Sequence, residues 1–457
     1  MDTFTNLALA PTLAHGLDAL GYTQMTPVQA AALPLILAGR DVIAQAPTGS
    51  GKTAAFGLGL LQRLDPTIIR LQALVLCPTR ELADQVAKEI RKLATGIPNL
   101  KVSLLTGGTS LRPQLASLVH DPHVVVGTPG RVQELMHKQA LHLGGVRCFV
   151  LDEADRMLDM GFEEAIRDIA GRVNKERQTL LFSATFPQAI RDIARKLMRD
   201  PAEVSVDAAT EQPLVAQIFH EVELAQKPGA LAALLMTHRP ESAVVFCNTR
   251  RDADDVAGIL NELGFEALAL HGDMEQRDRD EILLCFANGS CNVLLASDVA
   301  ARGLDIKDLA AVINYELPTD PDVYLHRIGR TGRAGRGGLA LSLVTPREMP
   351  RANVLEDQHG QKFRWAAVTP LRSRVANAPQ AAMATLCIDA GKTDKLRAGD
   401  ILGALTGDAG LPGDAIGKID IFATRSYVAI RRELLAQAHK RLSAGKIKGR
   451  SFRVRRI

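Results

Sequence analysis

The sequence predicts an α/β protein in which two domains are each built on a doubly wound parallel sheet and are followed by a small α+β domain. Short apolar runs alternate with helical stretches through most of the chain, which is typical of parallel sheets with helices on both faces. A polar stretch without periodicity at 207–213 divides this alternation into two blocks, and the region 381–457 follows a different order of elements. At 457 residues the chain is also too long for one hydrophobic core.

The first block, predicted to span residues 1–206, contains apolar runs that we interpret as strands. They are VIA (42–44), ALVLCPTREL (73–82), VSLLTGGTS (102–110), HVVVGTPGR (123–131), CFVLDEAD (148–155) and TLLFSAT (179–185). Helical stretches such as 83–93 and 162–173 separate them. Because the carboxyl ends of parallel strands meet at one edge of the sheet, we expect the polar residues after these runs to collect there.

A loop of small residues follows the first apolar run and leads into an apolar helix. Its small residues allow backbone N–H groups to converge on an anion. They are Thr48, Gly49, Ser50 and Gly51. Lys52 would then reach the β- and γ-phosphates of a nucleotide, and the Thr53 hydroxyl would ligate Mg²⁺. Because Ala46 holds the first glycine position of the G-x-x-x-x-G-K-[ST] pattern, the loop alone is also compatible with an ordinary strand-to-helix turn.

An acidic strand end favours the nucleotide interpretation. The run 148–151 is followed by Asp152 and Glu153, at the edge where open α/β sheets bind their ligands. Asp152 is suited to hold Mg²⁺, and Glu153 is suited to orient an attacking water. An Asp-Glu pair alone is more often a solvated helix N-terminus. Together with a phosphate cradle it indicates phosphoryl transfer from a nucleotide.

Other residues of the first block suit a purine or a phosphodiester backbone. Tyr22 and Gln29 precede the cradle and would offer an aromatic face and a two-sided amide, although such residues are more often packing and helix surface. Donor-rich turns around Arg80, Gly108 and 128–131 follow three of the predicted strands. Each turn is commonplace by itself, but together they would form a track for nucleic-acid backbone.

The second block, predicted to span residues 215–360 after a linker at 207–214, repeats the alternation without a cradle. Its predicted strands are 220–225, 243–249, 266–273, 292–298, 310–318 and 338–345. Gly303 and Asp305 follow one of these strands, and HRIGRTGR carries His326, Arg330 and Arg333. Three residues apart on a helix, the two arginines would project toward a single anion. A solvated basic helix is the usual interpretation, but the glycines make a poor free-standing helix and favour approach to a ligand.

Positive charge is concentrated at the C-terminus, after a predicted tether at 361–380. The whole chain has a net charge of +4, whereas residues 381–457 hold 15 Lys and Arg against 7 Asp and Glu. The predicted order β-α-β-β-α-β is the RRM topology, but the aromatic RRM signature is missing. Candidate contacts that flank the predicted strands are Lys392, Lys395, Arg425, Tyr427, Arg431, Lys446, Lys448 and Arg450. From charge alone, a non-specific basic anchor explains this region equally well.

Cysteine usage and hydropathy exclude several other classes of protein. The six cysteines lack C-x-x-C pairing and lie mostly in or beside apolar runs, so we expect reduced core thiols in a cytoplasmic protein and no zinc site. The sequence has no 18-residue apolar run and no N-terminal charged region followed by a long apolar stretch. We therefore expect neither secretion nor a membrane partner.

Taken together, these motifs resemble the DEAD-box RNA helicase family. In order they are GYTQMTPVQ, AQAPTGSGKT, PTREL, TPGR, DEAD, SAT, ASDVAARGLDI and HRIGRTGR, and the resemblance covers residues 4–345. The family also has alanine at the position of Ala46. Ser297 stands where the family usually has threonine, which keeps the hydroxyl. The resemblance implies two RecA-like lobes that close on ATP, Mg²⁺ and single-stranded RNA.

The resemblance also implies roles for individual residues. Tyr22 would stack on adenine, Gln29 would read it, and Asp305 would hold the ribose. Phosphate, metal and water would be handled by Lys52, Thr53, Asp152 and Glu153, with Arg330 and Arg333 as arginine fingers. Coupling of the ATP state to lobe closure would involve Asp155, Ser183, Thr185 and His326. RNA backbone would be contacted by Arg80, Gly108, Thr128, Arg131, Arg279 and Gly303.

A helicase core with a basic, aromatic-poor tail resembles the bacterial DbpA type. This resemblance implies that the tail directs the enzyme to a hairpin of large-subunit ribosomal RNA. We therefore expect a monomer that locally unwinds RNA duplexes during ribosome assembly. An ATP-gated RNA clamp, in which strand separation is incidental, needs the same residues and stays open. A DNA helicase is disfavoured by the DEAD and SAT forms, so DNA is not an expected partner.

Overall fold

A computed structural model describes residues 3–47, 49–206, 215–298, 309–332, 337–360, 362–375, 377–407 and 410–457. These residues fall into two compact units, one that ends at residue 206 and one that begins at residue 215. We call residues 3–206 the first lobe, 215–360 the second lobe, 362–380 the connecting segment and 381–457 the C-terminal domain. Among the helices within the described ranges, none combines the length and the apolar character needed to cross a membrane.

The first lobe is built on a parallel seven-stranded sheet. Its strands are β1 Val42–Gln45, β2 Ala73–Leu76, β3 Val102–Leu105, β4 Val124–Gly127, β5 Cys148–Asp152, β6 Gln178–Ser183 and β7 Ala202–Ser205. They lie in the order β3-β4-β2-β5-β6-β1-β7. Strand β6 pairs with β5 on one side and with β1 on the other. The strands that precede the DEAD, SAT and phosphate-loop motifs are therefore neighbours.

Helices bury both faces of this sheet. They are α1 Pro11–Ala19, α2 Pro27–Leu37, α3 Lys52–Gln62, α4 Arg80–Leu93, α5 Leu111–Ser117, α6 Pro129–His137, α7 Ala154–Asp159, α8 Glu163–Arg172 and α9 Gln188–Leu197. In β1, Val42 and Ala44 pack into the core cluster that contains α2, α3 and α4, whereas Ile43 packs into the cluster that contains α6, α8 and α9. Burial on both faces explains why the strands are continuous apolar runs.

The second lobe repeats the parallel architecture. Its strands are β8 Val215–Glu221, β9 Ala243–Cys247, β10 Ala267–Leu270, β11 Val293–Ser297, β12 Ala311–Asn314 and β13 Gly338–Val344. With β14 Arg364–Trp365 of the connecting segment they form one sheet, in the order β10-β11-β9-β12-β13-β8-β14. Its helices are α10 Lys227–His238, α11 Arg250–Glu262, α12 Gln276–Ala287, α13 Pro321–Ile328 and α14 Met349–His359. The strand predicted at 220–225 begins earlier, because β8 pairs with β13 along its whole length from Val215. Its register is thus decided by a distant strand.

The connecting segment packs on the second lobe, although the sequence predicts a tether there. Strand β14 pairs with β8, and Phe363 stacks on Phe219 with ring centroids 4.1 Å apart. Further along, the Leu371 N–H donates to the Gly229 carbonyl at 3.0 Å, where a Cβ on the glycine would come within 2.3 Å of the Leu371 carbonyl oxygen. The segment is therefore held by aromatic stacking and backbone hydrogen bonds.

The C-terminal domain has the predicted β-α-β-β-α-β order and an antiparallel sheet. Its elements are β15 Met383–Ile388, α15 Ala398–Thr406, β16 Ile416–Ile421, β17 Ser426–Arg431, α16 Leu435–Ala444 and β18 Val454–Arg456. The strands lie in the order β16-β17-β15-β18. Leu386, Ile388, Val428 and Ile430 pack with both helices in its core. Across the chain, all six cysteines are buried and unpaired.

Candidate nucleotide and RNA sites

The phosphate loop connects β1 to α3, and its glycines allow a conformation that other residues disfavour. Gly49 has φ 86°, and Gly51, the N-cap of α3, has φ 92°. A Cβ at Gly51 would lie 2.5 Å from Gln29 Nε2. The helix N-terminus therefore presents its first N–H groups to the loop, as an anion site requires. Thr48 lies outside the described residues.

Two polar side chains of this loop fit a phosphate. The Lys52 ammonium is buried and donates to the Ala46 carbonyl at 2.9 Å. Ser50 Oγ is buried and has no hydrogen-bond partner among the described residues. A buried hydroxyl without a partner is costly, and phosphate oxygens would accept its hydrogen bond. The loop is thus chemically complementary to the expected nucleotide.

Asp152 fits a metal ligand. It is the last residue of β5, and its side chain is 3% exposed. Burial raises its pKa to about 7, although the nearby Lys52 ammonium acts in the opposite direction. A buried carboxylate is unfavourable without a compensating cation. Thr53 lies in the first turn of α3 and is half-buried. Carboxylate and hydroxyl oxygens are the ligands that Mg²⁺ prefers.

Glu153 is held by an ion pair that the sequence analysis missed. It is the N-cap of α7 in a left-handed conformation, with φ 52° and ψ 54°. Its Oε2 lies 2.9 Å from Arg156 Nη1, and both side chains are almost fully buried. The i,i+3 spacing of the two residues is the sequence signal that would have indicated this pair.

Asp155 joins the DEAD motif to the SAT motif. Its Oδ2 accepts hydrogen bonds from the Thr185 N–H at 2.9 Å and from the Thr185 hydroxyl at 2.8 Å. Its own N–H donates to Ser183 Oγ at 3.3 Å. Burial raises the pKa of Asp155, but the hydrogen bonds from Thr185 bring it below its usual range. The structure therefore brings together three of the four residues expected to couple ATP state to closure.

Gln29 contacts the phosphate loop, and both Gln29 and Tyr22 already have partners. The Tyr22 hydroxyl donates to Glu89 Oε1 at 2.8 Å, and burial raises its pKa to about 12. Gln29 Oε1 accepts from the Thr26 N–H at 2.9 Å, while its Nε2 donates to the Gly51 carbonyl at 3.1 Å. Gln29 thus links the start of α2 to the phosphate loop.

The side chains of the predicted RNA track in the first lobe are not all equally exposed. Arg80 begins α4. Gly108 has φ 64°, and a Cβ there would come within 2 Å of the Arg80 guanidinium, so a side chain at this position would be strained and would displace that guanidinium. Thr128 is buried and its Oγ1 accepts from the Gly107 N–H at 3.4 Å. Arg131 is also buried and donates to the Thr109 carbonyl at 3.1 Å. Arg131 therefore holds two turns of the track together.

In the second lobe, the structure corrects the interpretation of the HRIGRTGR segment. Helix α13 ends at Ile328, so Arg330 follows the helix in a turn rather than sharing a helix face with Arg333. The Arg330 carbonyl accepts from the Leu309 N–H at 3.1 Å, and its side chain is buried. His326 is half-buried in the last turn of α13. Glycines that follow Ile328 explain why the helix stops.

Arg327 is more deeply buried than Arg330 in this segment, and the sequence indicated no structural role for it. Its guanidinium donates to both carboxylate oxygens of Asp298 at 2.7 and 2.6 Å, to Asn314 Oδ1 at 3.1 Å and to Asn248 Oδ1 at 3.0 Å. These partners lie at the ends of β11, β12 and β9. Arg327 therefore holds together the edge of the sheet.

Of the remaining candidates in the second lobe, Arg279 is half-buried in the first turn of α12, and Gly303, Asp305 and Arg333 lie outside the described residues.

A groove of about 530 Å³ on the C-terminal domain brings together three of the predicted lysines. Leu396 and Ile421 form its apolar part. Its basic part consists of Lys392, Lys395, Arg397 and Lys448. Arg397 was not among the candidates, since it lies one residue before α15 rather than beside a predicted strand. Apolar surface between cations suits a base with flanking phosphates.

Lys448 of the groove lies 3.8 Å from Asp400, and other candidates in this domain have acidic partners too. Arg425 lies 3.5 Å from Asp389, Arg431 lies 2.8 Å from Asp414, and Arg450 lies 3.2 Å from Asp394. Lys446 is exposed. Tyr427 was expected to contact RNA, but its ring is buried and its hydroxyl donates to Glu281 Oε2 of α12 at 3.2 Å. Burial, the Cys387 thiol and Glu281 raise its pKa to about 12. In this structure Tyr427 faces the second lobe.

Three family models match the chain in sequence order. They are the DEAD/DEAH box helicase over residues 26–193, the helicase conserved C-terminal domain over residues 226–335 and the DbpA RNA binding domain over residues 385–456. The three matches correspond to the first lobe, the second lobe and the C-terminal domain.

Similar proteins match either the whole chain or about four-fifths of it. The chain is 53% identical over 456 residues to the ATP-dependent RNA helicase DbpA of Escherichia coli (strain K12), with 100% of this chain and 99% of the relative covered. It is 44% identical over 357 residues to the DEAD-box ATP-dependent RNA helicase CshA of Geobacillus kaustophilus, with 78% and 76% covered. Among solved structures, S. cerevisiae Dbp5 bound to RNA and ADP BeF3 superimposes with a TM-score of 0.74 at 33% identity, covering 80% of this chain and 96% of that chain.

Proposed function

The chain belongs to the DEAD-box family and is an ATP-dependent RNA helicase with RNA-stimulated ATPase activity, and on this premise we propose that it remodels structured large-subunit ribosomal RNA during ribosome assembly. In this proposal the C-terminal domain selects the RNA and the two lobes act on it. The observation that carries the choice of RNA is the lysine-lined groove, which lies in the domain that matches the DbpA RNA binding domain. The DbpA-type resemblance is what points to large-subunit ribosomal RNA.

We assign ATP hydrolysis to the first lobe. The loop N–H groups and Lys52 bind the β- and γ-phosphates, which requires the Lys52 ammonium to exchange the Ala46 carbonyl for phosphate oxygens. Glu153 orients the attacking water and accepts its proton. Asp152 and Thr53 are the residues that would hold Mg²⁺. When bound, this ion neutralises charge on the phosphate oxygens.

The base and ribose contacts are proposed from position. Tyr22 stacks on adenine and Gln29 reads its edge, for which the Gln29 amide must exchange one of its bonds to Thr26 or Gly51. Because the Gly51 carbonyl belongs to the phosphate loop, Gln29 is placed to sense whether the loop holds a nucleotide. Asp305 is proposed as the ribose ligand.

Arginine fingers and coupling complete the proposed cycle. Arg330 and Arg333 reach the γ-phosphate when the lobes close and stabilise charge in the transition state. Asp155, Ser183, Thr185 and His326 transmit closure. The RNA backbone is bound by Arg80, Gly108, Thr128, Arg131, Arg279 and Gly303. Specific RNA is bound by the basic residues of the groove, which are the predicted Lys392, Lys395 and Lys448 together with Arg397.

ATPase stimulation by RNA fragments of equal length tests the choice of RNA. We expect one large-subunit ribosomal fragment to stimulate at a lower concentration than all others. The double variant Lys392→Gln, Lys395→Gln should lose this preference and keep the maximal rate. Lys440→Gln, an exposed lysine of α16 away from the groove, is the matched control. Equal stimulation by every fragment would refute ribosomal targeting.

The clamp alternative is decided by duplex release per ATP hydrolysed. A helicase releases strands in proportion to ATP turnover, whereas a clamp hydrolyses ATP while the duplex stays intact.

We propose that the protein acts as a cytoplasmic monomer and does not use DNA. DNA-stimulated ATPase activity would contradict the last point.

A further inference from the structure

The sheet of the C-terminal domain has one face that is covered by the second lobe. In RRM domains this face commonly stacks RNA bases, while the helices cover the other face. Residues of β15, β17 and β18 that alternate with the core residues contact the second lobe instead. They are Thr385, Tyr427 and Arg455. The usual RNA platform is therefore occupied by protein.

The centre of this contact consists of side-chain hydrogen bonds to α12 and the turn after it. Thr385 Oγ1 accepts from Asn288 Nδ2 at 2.9 Å and donates to Ser290 Oγ at 2.8 Å. Glu281 Oε2 accepts from the Tyr427 hydroxyl at 3.2 Å and from Arg455 Nη2 at 3.1 Å. In the docked state this carboxylate of the second lobe lies against the middle of the sheet face, where it would repel a phosphodiester backbone.

Arg432 anchors the edge of the contact. Its guanidinium forms a bidentate pair with Glu266, with N–O distances of 2.7 and 2.5 Å. It also donates to the Ala381 carbonyl at 2.8 Å. Bidentate pairs fix orientation as well as distance, because two parallel hydrogen bonds must be satisfied together.

The docking face and the groove use different residues. The groove is lined from the segment before α15, the end of β16 and the turn before β18, and none of its lining residues makes the interface contacts above. RNA can therefore occupy the groove while the sheet face stays docked.

We propose that the sheet face of the C-terminal domain is an intramolecular docking surface, which holds the domain in one orientation on the second lobe while RNA occupies the groove. This rests on the proposed function only in the assignment of RNA to the groove. Docking then fixes the distance between the selected RNA and the duplex on which the lobes act. A flexible tether would instead allow duplexes over a broad range of distances.

The test uses charge reversal across the anchoring pair in the full-length chain. Glu266→Arg and Arg432→Glu each break the pair, and the double variant restores opposite charges. Glu262→Arg and Lys440→Glu are the matched controls, since both residues are exposed and lie outside the contact. Spin labels attached at Arg251→Cys in the second lobe and at Lys440→Cys in the C-terminal domain report the distance between these two parts of the chain without any RNA. Because Lys440 then carries a label, Lys440→Glu is a control only for the assays without labels. The six native cysteines are buried in the docked chain. Cys285 and Cys387 lie at the contact, so both are replaced by alanine in every labelled variant to keep undocking from exposing a further thiol.

We expect a narrow distance distribution in the parent and the double variant, and a broad one in each single variant. Helicase assays then vary the spacing between the selected RNA and the duplex. The parent should unwind best at one spacing, and single reversals should reduce unwinding there by about 10-fold while RNA affinity stays within about 2-fold.

Several outcomes would overturn the proposal. Loss of RNA affinity in the single variants would show that the face binds RNA, and faster unwinding would show that docking is inhibitory. Unchanged distances would show that the contact is not held by this pair. Failure of ribosomal targeting is recognised separately, because it is measured with the parent enzyme and the label distances need no RNA.

Discussion

Asp155 of the DEAD motif accepts two hydrogen bonds from Thr185 of the SAT motif, at 2.9 Å from the backbone N–H and 2.8 Å from the hydroxyl. The two residues follow the neighbouring strands β5 and β6. A shift of either strand end would therefore be transmitted to the other motif through one carboxylate.

Thr185→Val removes the hydroxyl donor and keeps the shape and the backbone bond. We expect the first lobe to lose about 1.5–3 kcal/mol of stability, because a hydrogen bond to a charged group is removed. Nucleotide affinity should be retained while duplex release per ATP falls. Thr185→Ser is the control and should restore both quantities. Unwinding that is unaffected in the valine variant would contradict the coupling role.

Lys52→Ala and Glu153→Gln should fail in different ways. Loss of the Lys52 ammonium weakens ATP binding, because the ammonium belongs to the phosphate site. Glu153→Gln should keep ATP and RNA bound while hydrolysis stops, because the amide cannot accept the proton of the water. Equilibrium nucleotide binding and single-turnover hydrolysis separate these cases. Equal loss of affinity in both variants would show that the roles are assigned wrongly.

Arg330→Ala and Arg333→Ala should each slow RNA-stimulated hydrolysis and leave ATP affinity nearly unchanged without RNA. Arginine fingers contribute about 10³ to 10⁵ in rate, and this contribution appears only in the transition state. Arg327→Ala is an instructive contrast, since its guanidinium holds the sheet edge and its loss should lower the melting temperature. A large loss of RNA-free nucleotide affinity in either finger variant would refute the assignment.

The raised pKa of Asp152 predicts an unusual pH dependence for the stability of the first lobe. Its folded-state pKa of about 7 is above the usual value of 3.8, so the nucleotide-free lobe loses stability as the pH rises from 3.8 toward 7. Asp152→Asn cannot ionise and should avoid this loss. The melting temperature of the variant relative to the parent should therefore rise between pH 5 and pH 8. Mg²⁺-ATP should reduce the difference, because the cation compensates the carboxylate. A constant difference across this range would contradict the buried, ionisable state.

Truncation after Gln380 should abolish the preference for a particular RNA and retain the RNA-stimulated activity of the two lobes. This boundary keeps β14 and the packed connecting segment, which a truncation after Arg364 would disrupt. The shortened enzyme should still respond to RNA at high concentration without preferring one RNA of equal length. The slope of log affinity against log salt should also become shallower, by roughly 0.7–0.9 for each phosphate that the C-terminal domain neutralises in the full-length enzyme. Retained preference would place specificity in the lobes.

The sequence by itself determined the local elements on which the proposed nucleotide site is built. The loop of small residues before Lys52 and the acidic end of an apolar run depend on local backbone geometry and on side-chain chemistry. For this reason the loop, the DEAD strand end and the alternation of strands with helices could be predicted. The same holds for the β-α-β-β-α-β order, which short turns and apolar periodicity specify locally.

Tertiary structure decided how those local features meet. The order β5-β6-β1 brings Asp155 to Thr185, and β8 starts at Val215 because β13 pairs with it. Arg327 and Arg330 have the same residue type in one segment, yet Arg327 is tied to three strand ends and Arg330 follows the helix. Tyr427 was predicted as an RNA contact, but it lies in β17 and its hydroxyl donates to Glu281. These outcomes depend on pairing between residues far apart in the chain, and side-chain burial there follows from the partner rather than from the local sequence.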